Sequence, residues 1–373
     1  MNPLQQLHTF GQSPYLDDLR RNLVEGGELQ RLIDLGVRGL TSNPAIFEAA
    51  IARSSDYDAA IRELVRQGRS VLDIYRTLTV EDVQGAADLF RPLYDATGGA
   101  DGFVSYEVDP RLADDTEGTL QEARSLWKLI DRPNLMIKVP ATQAGLPVIR
   151  QLISEGINVN VTLIFGLPRY KLVAEAYIGG LKDRVADGGS VENVASVASF
   201  FLSRIDTLLD PKLEAMQKDG KEQAGTLVGE VAIASAKMAY VAYGEMFGGE
   251  MFADLAAQGA KPQRLLWAST STKNPAYSPD KYISPLIGPD TVNTMAPKTL
   301  DTYRESGKPV ETLGDGTDEA DKLLSTLESL GMSIDEATEQ LEREGVEKFV
   351  TPFGSLMDTI AKARDEAAAQ TSA

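Results

Sequence analysis

The sequence contains no cysteine, and this absence excludes several kinds of site. Without thiols there is no disulfide framework, no thiolate nucleophile and no zinc–thiolate centre. Histidine is nearly absent too, since His8 is the only one. A single histidine cannot form the multi-histidine site of a metal-dependent aldolase or hydrolase. We therefore expect no such metal site, and no catalytic role for His8, which lies in a polar segment at the start of the sequence.

A surplus of basic residues is also missing. The chain has 37 Lys and Arg residues against 55 Asp and Glu residues, which gives a formal net charge of -18. Nucleic acids and anionic membranes attract proteins through clustered Lys and Arg, so we expect neither as a partner. An anionic substrate would have to be held by a few locally placed cations.

Long apolar runs do not occur. No segment approaches 18 consecutive apolar residues, and the stretch "MNPLQQLHTFGQSPYLDD" has no basic region followed by an apolar one. Those features mark membrane-spanning helices and signal peptides. We expect a cytoplasmic protein, and the 43% of hydrophobic residues is typical of a globular chain with an ample core.

Short apolar or β-branched segments alternate with amphipathic helical patterns, which is typical of βα units around a parallel sheet. Eight such segments predict a closed (β/α)8 barrel. An open doubly wound sheet is the alternative, although no Gly-x-Gly-x-x-Gly follows the first segment and no P-loop occurs. The eight segments are "SPYLDDL", "VRGLTSNP", "GFVSYEVDP", "LMIKVPAT", "INVNVTLIF", "VASVASFF", "RLLWASTS" and "DTVNTMAP".

After Pro297 the sequence becomes helical and strongly charged, and no second set of strands follows. We therefore expect one domain, residues 1–373, in which residues 298–373 are helices appended to the barrel. The segment "KFVTPFGSLMDTIAKAR" is long and amphipathic enough to cover the mouth of the barrel. The last residues, "DEAAAQTSA", have little to pack against, and we expect them to fray.

Polar residues stand where the predicted strands end, which is where (β/α)8 enzymes collect their chemistry. Glu107 interrupts an apolar strand, where an unpaired carboxylate is seldom buried, so a functional role is favoured. Asp17, with Asp18, could instead cap the next helix, and Asn43, before Pro44, could instead begin a turn, so neither residue is evidence of function by itself. The polar residues at these strand ends are Asp17, Asn43, Glu107, Lys138, Asn160, Thr162, Ser199 and Ser269, and Lys273 follows shortly after.

Lys138, within "LMIKVPAT", is the most informative of them. Burial favours the neutral amine of a lysine, and a neutral amine attacks carbonyl carbons. The alternative is a lysine on an edge strand whose head reaches water. A Schiff-base reaction also needs proton transfer, for which Glu107 and Asp17 remain, since histidine is not available.

Seven motifs, in their order along the chain, together resemble the transaldolase family. They are "SPYLDDLRR", "GVRGLTSNPAIF", "VSYEVDPRLADD", "MIKVPAT", "GINVNVTLIF", "VASFFLSRID" and "WASTSTKNP". The resemblance implies a (β/α)8 barrel that transfers a dihydroxyacetone unit from sedoheptulose 7-phosphate to glyceraldehyde 3-phosphate. The products would be erythrose 4-phosphate and fructose 6-phosphate, in the pentose phosphate pathway, with no cofactor or metal. Sugar phosphates would be its partners, and we expect a monomer or homodimer.

The resemblance also implies a role for each motif residue. Lys138 would form the Schiff base, Glu107 would act through a water as acid and base, and Asp17 would handle the proton of the hydroxyl at the cleaved bond. Thr162 would position the water. The dihydroxyacetone unit would bind to Asn43, Asn160 and Ser199, and the phosphate to Arg204, Ser269 and Lys273.

The sequence departs from the better-known branch of the family at the phosphate end. That branch has an Arg shortly after the residue matching Ser269, whereas "STSTKNP" presents Lys273. An Arg binds phosphate with a fork of donors and a Lys with a point charge, so Arg204 is the firmer of the two predicted cations.

Three alternatives stay open from the sequence. Fructose 6-phosphate aldolases share the barrel, but they replace the acid matching Glu107 and have Tyr where this chain has Phe201. A pyridoxal phosphate enzyme could also use a barrel lysine. The third alternative is a non-catalytic barrel that binds sugar phosphates, which would have no need of Asp17, Glu107 and Lys138 together.

Overall fold

The computed structural model of the chain describes the backbone of residues 1–371 and the side chains of residues 1–366. Most of "DEAAAQTSA", which was expected to fray, lies outside the residues whose side chains are described. Eight parallel strands in the described chain close into a barrel in sequence order. The strands are β1 Gln12–Asp17, β2 Gly39–Thr41, β3 Phe103–Glu107, β4 Leu135–Pro140, β5 Val159–Ile164, β6 Ser196–Phe201, β7 Arg264–Ala268 and β8 Thr291–Met295.

Helices connect the strands and form an outer layer, as parallel strands require. They are α1 Pro3–Thr9, α2 Arg21–Glu25, α3 Glu28–Asp34, α4 Pro44–Ala52, α5 Asp58–Arg66, α6 Val71–Ala96, α7 Thr116–Ile130, α8 Gly145–Ser154, α9 Leu167–Ala186, α10 Ser203–Lys218, α11 Glu222–Gly225, α12 Val231–Phe247, α13 Glu250–Ala256, α14 Pro297–Ser306, α15 Thr317–Ser329 and α16 Ile334–Thr371. The predicted (β/α)8 barrel with additional C-terminal helices is confirmed. No helix in the described part of the chain is both long enough and apolar enough to cross a membrane.

The register of the central strands brings three predicted site residues side by side. Glu107 on β3 is the Cα partner of Lys138 on β4, and Lys138 is the partner of Asn160 on β5. Neighbouring partners in a sheet point their side chains to the same face. The three side chains therefore form one row across the barrel wall.

Strand β5 is irregular just beyond that row. Its pairing with β6 shifts between Val161 and Ile164, and Leu163 has a φ of 61°, which is unusual for a residue with a branched side chain. Bulges of this kind bend a strand and redirect its side chains, and they often lie next to active sites. Thr162 lies within the irregular stretch.

A large aromatic side chain, Tyr15, fills part of the barrel interior below the site. Tyr15 on β1 is 1% exposed, and its ring packs against the backbone of β2 at Gly39. A Cβ atom at Gly39 would lie 2.3 Å from the ring, so the tyrosine requires glycine at that position.

The last helix, α16, folds back over the barrel and packs on α4, α5, α6 and α10. Arg169 on α9 forms an ion pair with Glu342 at 2.9 Å, and the ring of Phe353 meets Tyr75 edge to face with centroids 5.3 Å apart. A Cβ at Gly166 would lie 2.5 Å from Thr338 Oγ1, so glycine permits the close approach of α16. The helix is thus fixed to several parts of the barrel.

Candidate active site

A cavity of about 200 Å³ opens at the C-terminal ends of the strands. Eight of the ten predicted site residues line it. They are Asp17, Asn43, Lys138, Thr162, Ser199, Arg204, Ser269 and Lys273. The other two contact this lining from behind: Glu107 through Lys138, and Asn160 through Ser199. The structure therefore brings all ten together: nine from the strand-end pattern, and Arg204 from the resemblance.

Lys138 is 4% exposed, and its amine has two close polar neighbours. Nζ lies 3.2 Å from Oε2 of Glu107 and donates a hydrogen bond to the carbonyl oxygen of Ser42 at 3.1 Å. The ring of Phe349 on α16 covers the same amine, with its centroid 5.4 Å from Nζ. The lysine is thus buried and paired, not at an edge of the sheet with its head in water.

Burial raises the pKa of Glu107 to about 7, although the nearby charge of Lys138 opposes this. A carboxyl group with a pKa near neutrality can both release and accept a proton at physiological pH. The amine is the closest charged group to Glu107, so proton exchange between the two requires no rearrangement of the fold.

Asp17 stands at the end of β1, beside the cavity. Its pKa is raised by burial, and the charge of Lys138 and a hydrogen bond from Thr41 partly offset this. Thr41 Oγ1 donates to Asp17 Oδ1 at 2.7 Å and lies 2.6 Å from Oγ1 of Thr294. The carboxylate is therefore held in one orientation by a chain of hydroxyls from β2 and β8.

The amide of Asn160 is fixed on both sides. Nδ2 donates to Ser105 Oγ at 2.9 Å, and Oδ1 accepts from Ser199 Oγ at 2.7 Å. Asn43 is oriented differently, because it caps α4 by accepting a hydrogen bond from the backbone N–H of Ile46 at 3.1 Å. The structural role of Asn43 is thus a helix cap instead of the expected turn, and the residue also lines the cavity.

Thr162 differs from its neighbours. Its hydroxyl is buried, and no protein group in the described chain accepts or donates a hydrogen bond to it. A buried hydroxyl without a partner is destabilising, so such groups are rare unless a water or ligand serves them. The hydroxyl of Thr162 is thus free to bind a molecule in the cavity.

One part of the cavity lining is cationic. Arg204, in the first turn of α10, has a buried Nη1 with no hydrogen-bond partner among the described residues, and burial lowers the pKa of this guanidinium. Lys273 also lines the cavity; the residue is exposed to solvent, and partial desolvation of its amine together with the charge of Arg204 lowers its pKa. Ser269 has a φ of 54°, and its hydroxyl lies 2.9 Å from that of Ser203. Two adjacent cations with a serine form a suitable site for an anion.

Sequence reasoning missed three residues that shape this cavity. Thr41 and Thr294 orient Asp17, and Phe349 covers Lys138. The two threonines stand at strand ends, so the rule that found Asp17 could have found them. Phe349 belongs to the segment that was suspected of covering the barrel, but nothing in the sequence singles out this one residue.

Comparison with known proteins agrees with this geometry. A sequence model described as transaldolase/fructose-6-phosphate aldolase matches residues 14–360. The chain belongs to this family. Curated relatives named transaldolase include one from Saccharopolyspora erythraea, 47% identical over 98% of each chain. Another, from Thermobifida fusca, is 47% identical over 97% of this chain and 98% of its own. The family that the seven motifs predicted is confirmed.

Proposed function

We propose that the protein is a transaldolase that transfers a dihydroxyacetone unit from sedoheptulose 7-phosphate to glyceraldehyde 3-phosphate. The products are erythrose 4-phosphate and fructose 6-phosphate, as in the pentose phosphate pathway. The observation that carries the proposal is the buried amine of Lys138, which pairs with the carboxyl of Glu107 and borders a cavity that two further cations, Arg204 and Lys273, also line. The curated relatives named transaldolase match nearly the whole length of this chain, which supports transfer of the dihydroxyacetone unit rather than its release as free dihydroxyacetone.

The first half of the reaction forms the Schiff base. Glu107 takes a proton from Lys138 Nζ, 3.2 Å away, and the neutral amine attacks the ketose carbonyl carbon. A proton passes from the attacking nitrogen to the former carbonyl oxygen, which gives the carbinolamine. Its hydroxyl then leaves as water, with the further proton returned by Glu107 through a water that Thr162 positions. The iminium that remains draws electrons from the carbon skeleton.

The second half breaks and remakes the carbon–carbon bond. Asp17 takes the proton of the hydroxyl on the carbon that becomes the aldehyde of the released aldose phosphate. The carbon–carbon bond to that carbon breaks, and the electron pair of this bond forms an enamine with the iminium. The aldehyde carbon of the acceptor accepts that pair, and Asp17 returns the proton to the new hydroxyl. Water then hydrolyses the iminium and frees Lys138.

Positioning groups account for the rest of the cavity. Asn43, Asn160 and Ser199 bind the hydroxyls of the dihydroxyacetone unit, and the hydrogen bonds that fix Asn160 keep its amide from rotating. Arg204 and Lys273, with Ser269, bind the phosphate. These two neighbouring cations let a protein of net charge -18 attract anionic substrates to this cavity.

The test is to trap the Schiff base. The protein is incubated with fructose 6-phosphate, reduced with borohydride and digested, and the peptides are mapped by mass. A reduced three-carbon adduct on Lys138 is expected, and it should persist in Lys261→Ala, which alters a partly buried lysine at the other end of the barrel. A folded protein without this adduct would refute the mechanism.

A second assay separates the proposal from its alternatives. Product formation is compared with and without an aldose phosphate acceptor, because an aldolase would release dihydroxyacetone in either case. Absence of a visible absorbance band from the purified protein would argue against pyridoxal phosphate. We also propose a cytoplasmic location, where pentose phosphate intermediates are handled, and a monomer or homodimer; cell fractionation and light scattering would test both.

A further inference from the structure

Two carboxylates that the mechanism does not use are buried beside the cationic end of the cavity. Asp206 and Asp210 lie four residues apart on α10 and therefore on one face of it, and they are 1% and 6% exposed. Buried aspartates are uncommon unless donors surround them. Their hydrogen bonds follow one repeated pattern.

One oxygen of each carboxylate accepts a backbone N–H near the start of α12. Asp206 Oδ1 accepts from Ala232 at 2.9 Å, and Asp210 Oδ1 accepts from Gly229 at 2.7 Å. The first N–H groups of a helix have no partner within the helix, so Asp206 satisfies one of them. These bonds fix the orientation of both carboxylates.

The second oxygen of each carboxylate accepts a tyrosine hydroxyl from the β7–β8 loop, residues 269–290. Tyr282 donates to Asp206 Oδ2 at 2.8 Å, and Tyr277 donates to Asp210 Oδ2 at 2.7 Å. Hydrogen bonds to ionised carboxylates are stronger than those between neutral groups. The loop is thus attached to α10 at two points.

Of the two attachment points, the one formed by Tyr277 is nearer to Lys273 in the sequence. The backbone N–H of Tyr277 donates to the carbonyl of Asn274, the residue that follows Lys273, at 3.1 Å. A second cavity of about 270 Å³ lies between the loop and α10, and Lys273 borders both this cavity and the one at the strand ends. There is therefore space behind Lys273 into which the loop could move if it were not attached.

We propose that Asp206 and Asp210 are positioning residues that hold the β7–β8 loop so that Lys273 faces Arg204. Because Arg204 and the two carboxylates belong to the same helix, α10 fixes both cations relative to each other. The proposal rests on the proposed function for the assignment of this end of the cavity to phosphate. It predicts that removing a tyrosine hydroxyl weakens anion binding without touching the reacting amine.

The test uses the full chain with Tyr277→Phe, which removes only the hydroxyl oxygen. Calorimetric titration with inorganic phosphate should give a Kd about tenfold higher than that of the wild type, since the bond lost is to a carboxylate. KM for fructose 6-phosphate should rise similarly, while kcat should stay within about twofold. The matched control is Tyr177→Phe, which removes a hydrogen bond to the carbonyl of Lys261 and should leave the phosphate Kd unchanged.

A double-mutant cycle shows whether the effect passes through Lys273. Lys273→Ala should weaken phosphate binding, and adding Tyr277→Phe to it should change the Kd little further. Three results would each overturn the proposal. The first is a Tyr277→Phe variant with wild-type phosphate affinity, and the second is an equal effect of this substitution on the Kd with and without Lys273→Ala. The third is a wild-type protein that does not bind phosphate. If one of these results were obtained and the protein still transferred dihydroxyacetone normally, the proposed function would be unaffected. Phosphate binding that depends on Tyr277, in a protein without transfer activity, would refute the proposed function alone.

Discussion

Thr162→Val should make the protein slightly more stable and much less active. Valine has nearly the shape of threonine but no hydroxyl, and the buried hydroxyl of Thr162 has no hydrogen-bond partner in the part of the chain that the structure describes. Such a group costs roughly 1–3 kcal/mol when unpaired, and holding a water there offsets only part of that, so we expect a gain of about 1 kcal/mol in the free energy of unfolding. The same substitution should lower kcat about 100-fold, because a donor that positions the reacting water is lost.

The comparison requires a threonine whose hydroxyl is satisfied. Thr79 on α6 is fully buried, donates to the carbonyl of Tyr75 at 2.9 Å and lies 2.7 Å from the hydroxyl of Tyr106. Thr79→Val should therefore lose about 1–2 kcal/mol of stability and keep its activity. Urea titration at one temperature is the better assay, since 1 kcal/mol shifts the melting point of a 373-residue chain by only about 1 °C. If Thr162→Val proved less stable than the wild type, or fully active, the reasoning about its hydroxyl would be wrong.

Three further predictions follow from burial and packing. Because the pKa of Glu107 is raised from 4.5 to about 7, the stability that its proton contributes is fully present below pH 4.5 and is lost as the pH rises through 7. Glu107→Gln should therefore become more stable relative to the wild type between pH 5 and pH 8 in urea titrations; a constant difference would contradict the raised pKa. Deleting residues 346–373 removes Phe349 from above Lys138 and should raise KM several-fold; unchanged kinetics in a folded truncation would exclude a covering role. Gly39→Ala should cost about 3 kcal/mol of unfolding free energy, because its Cβ meets the ring of Tyr15, whereas Gly354→Ala, on α16 with open space around it, should be neutral or stabilising.

Much of the barrel could be predicted because the sequence pattern that indicates each strand lies within that strand and the turns next to it. Each strand is a short apolar segment bounded by turns, and parallel strands place their C-terminal ends on one rim. A polar residue at the end of a predicted strand therefore belongs to that rim whatever the details of packing. Lys138, Glu107 and Asp17 could be found in this way before any distance was known, although their roles stay proposals.

Features that depend on long-range packing could not be predicted. The left-handed backbone of Leu163 has no signal in its side chain, since glycine or asparagine is the usual residue there. The position of Phe349 depends on how α16 docks onto four other helices. The attachment of the β7–β8 loop depends on tyrosines whose partners lie 67 and 76 residues away along the chain. None of these contacts produces a periodic pattern in the sequence.

The docking of α16 has a consequence for the order in which the protein is made. The strands that carry Asp17, Glu107 and Lys138 leave the ribosome long before Phe349, which covers the amine. Until the residues of α16 have been synthesised, the amine of Lys138 lacks the ring that covers it. Coverage of this amine by Phe349 therefore follows the synthesis of all eight strands of the barrel.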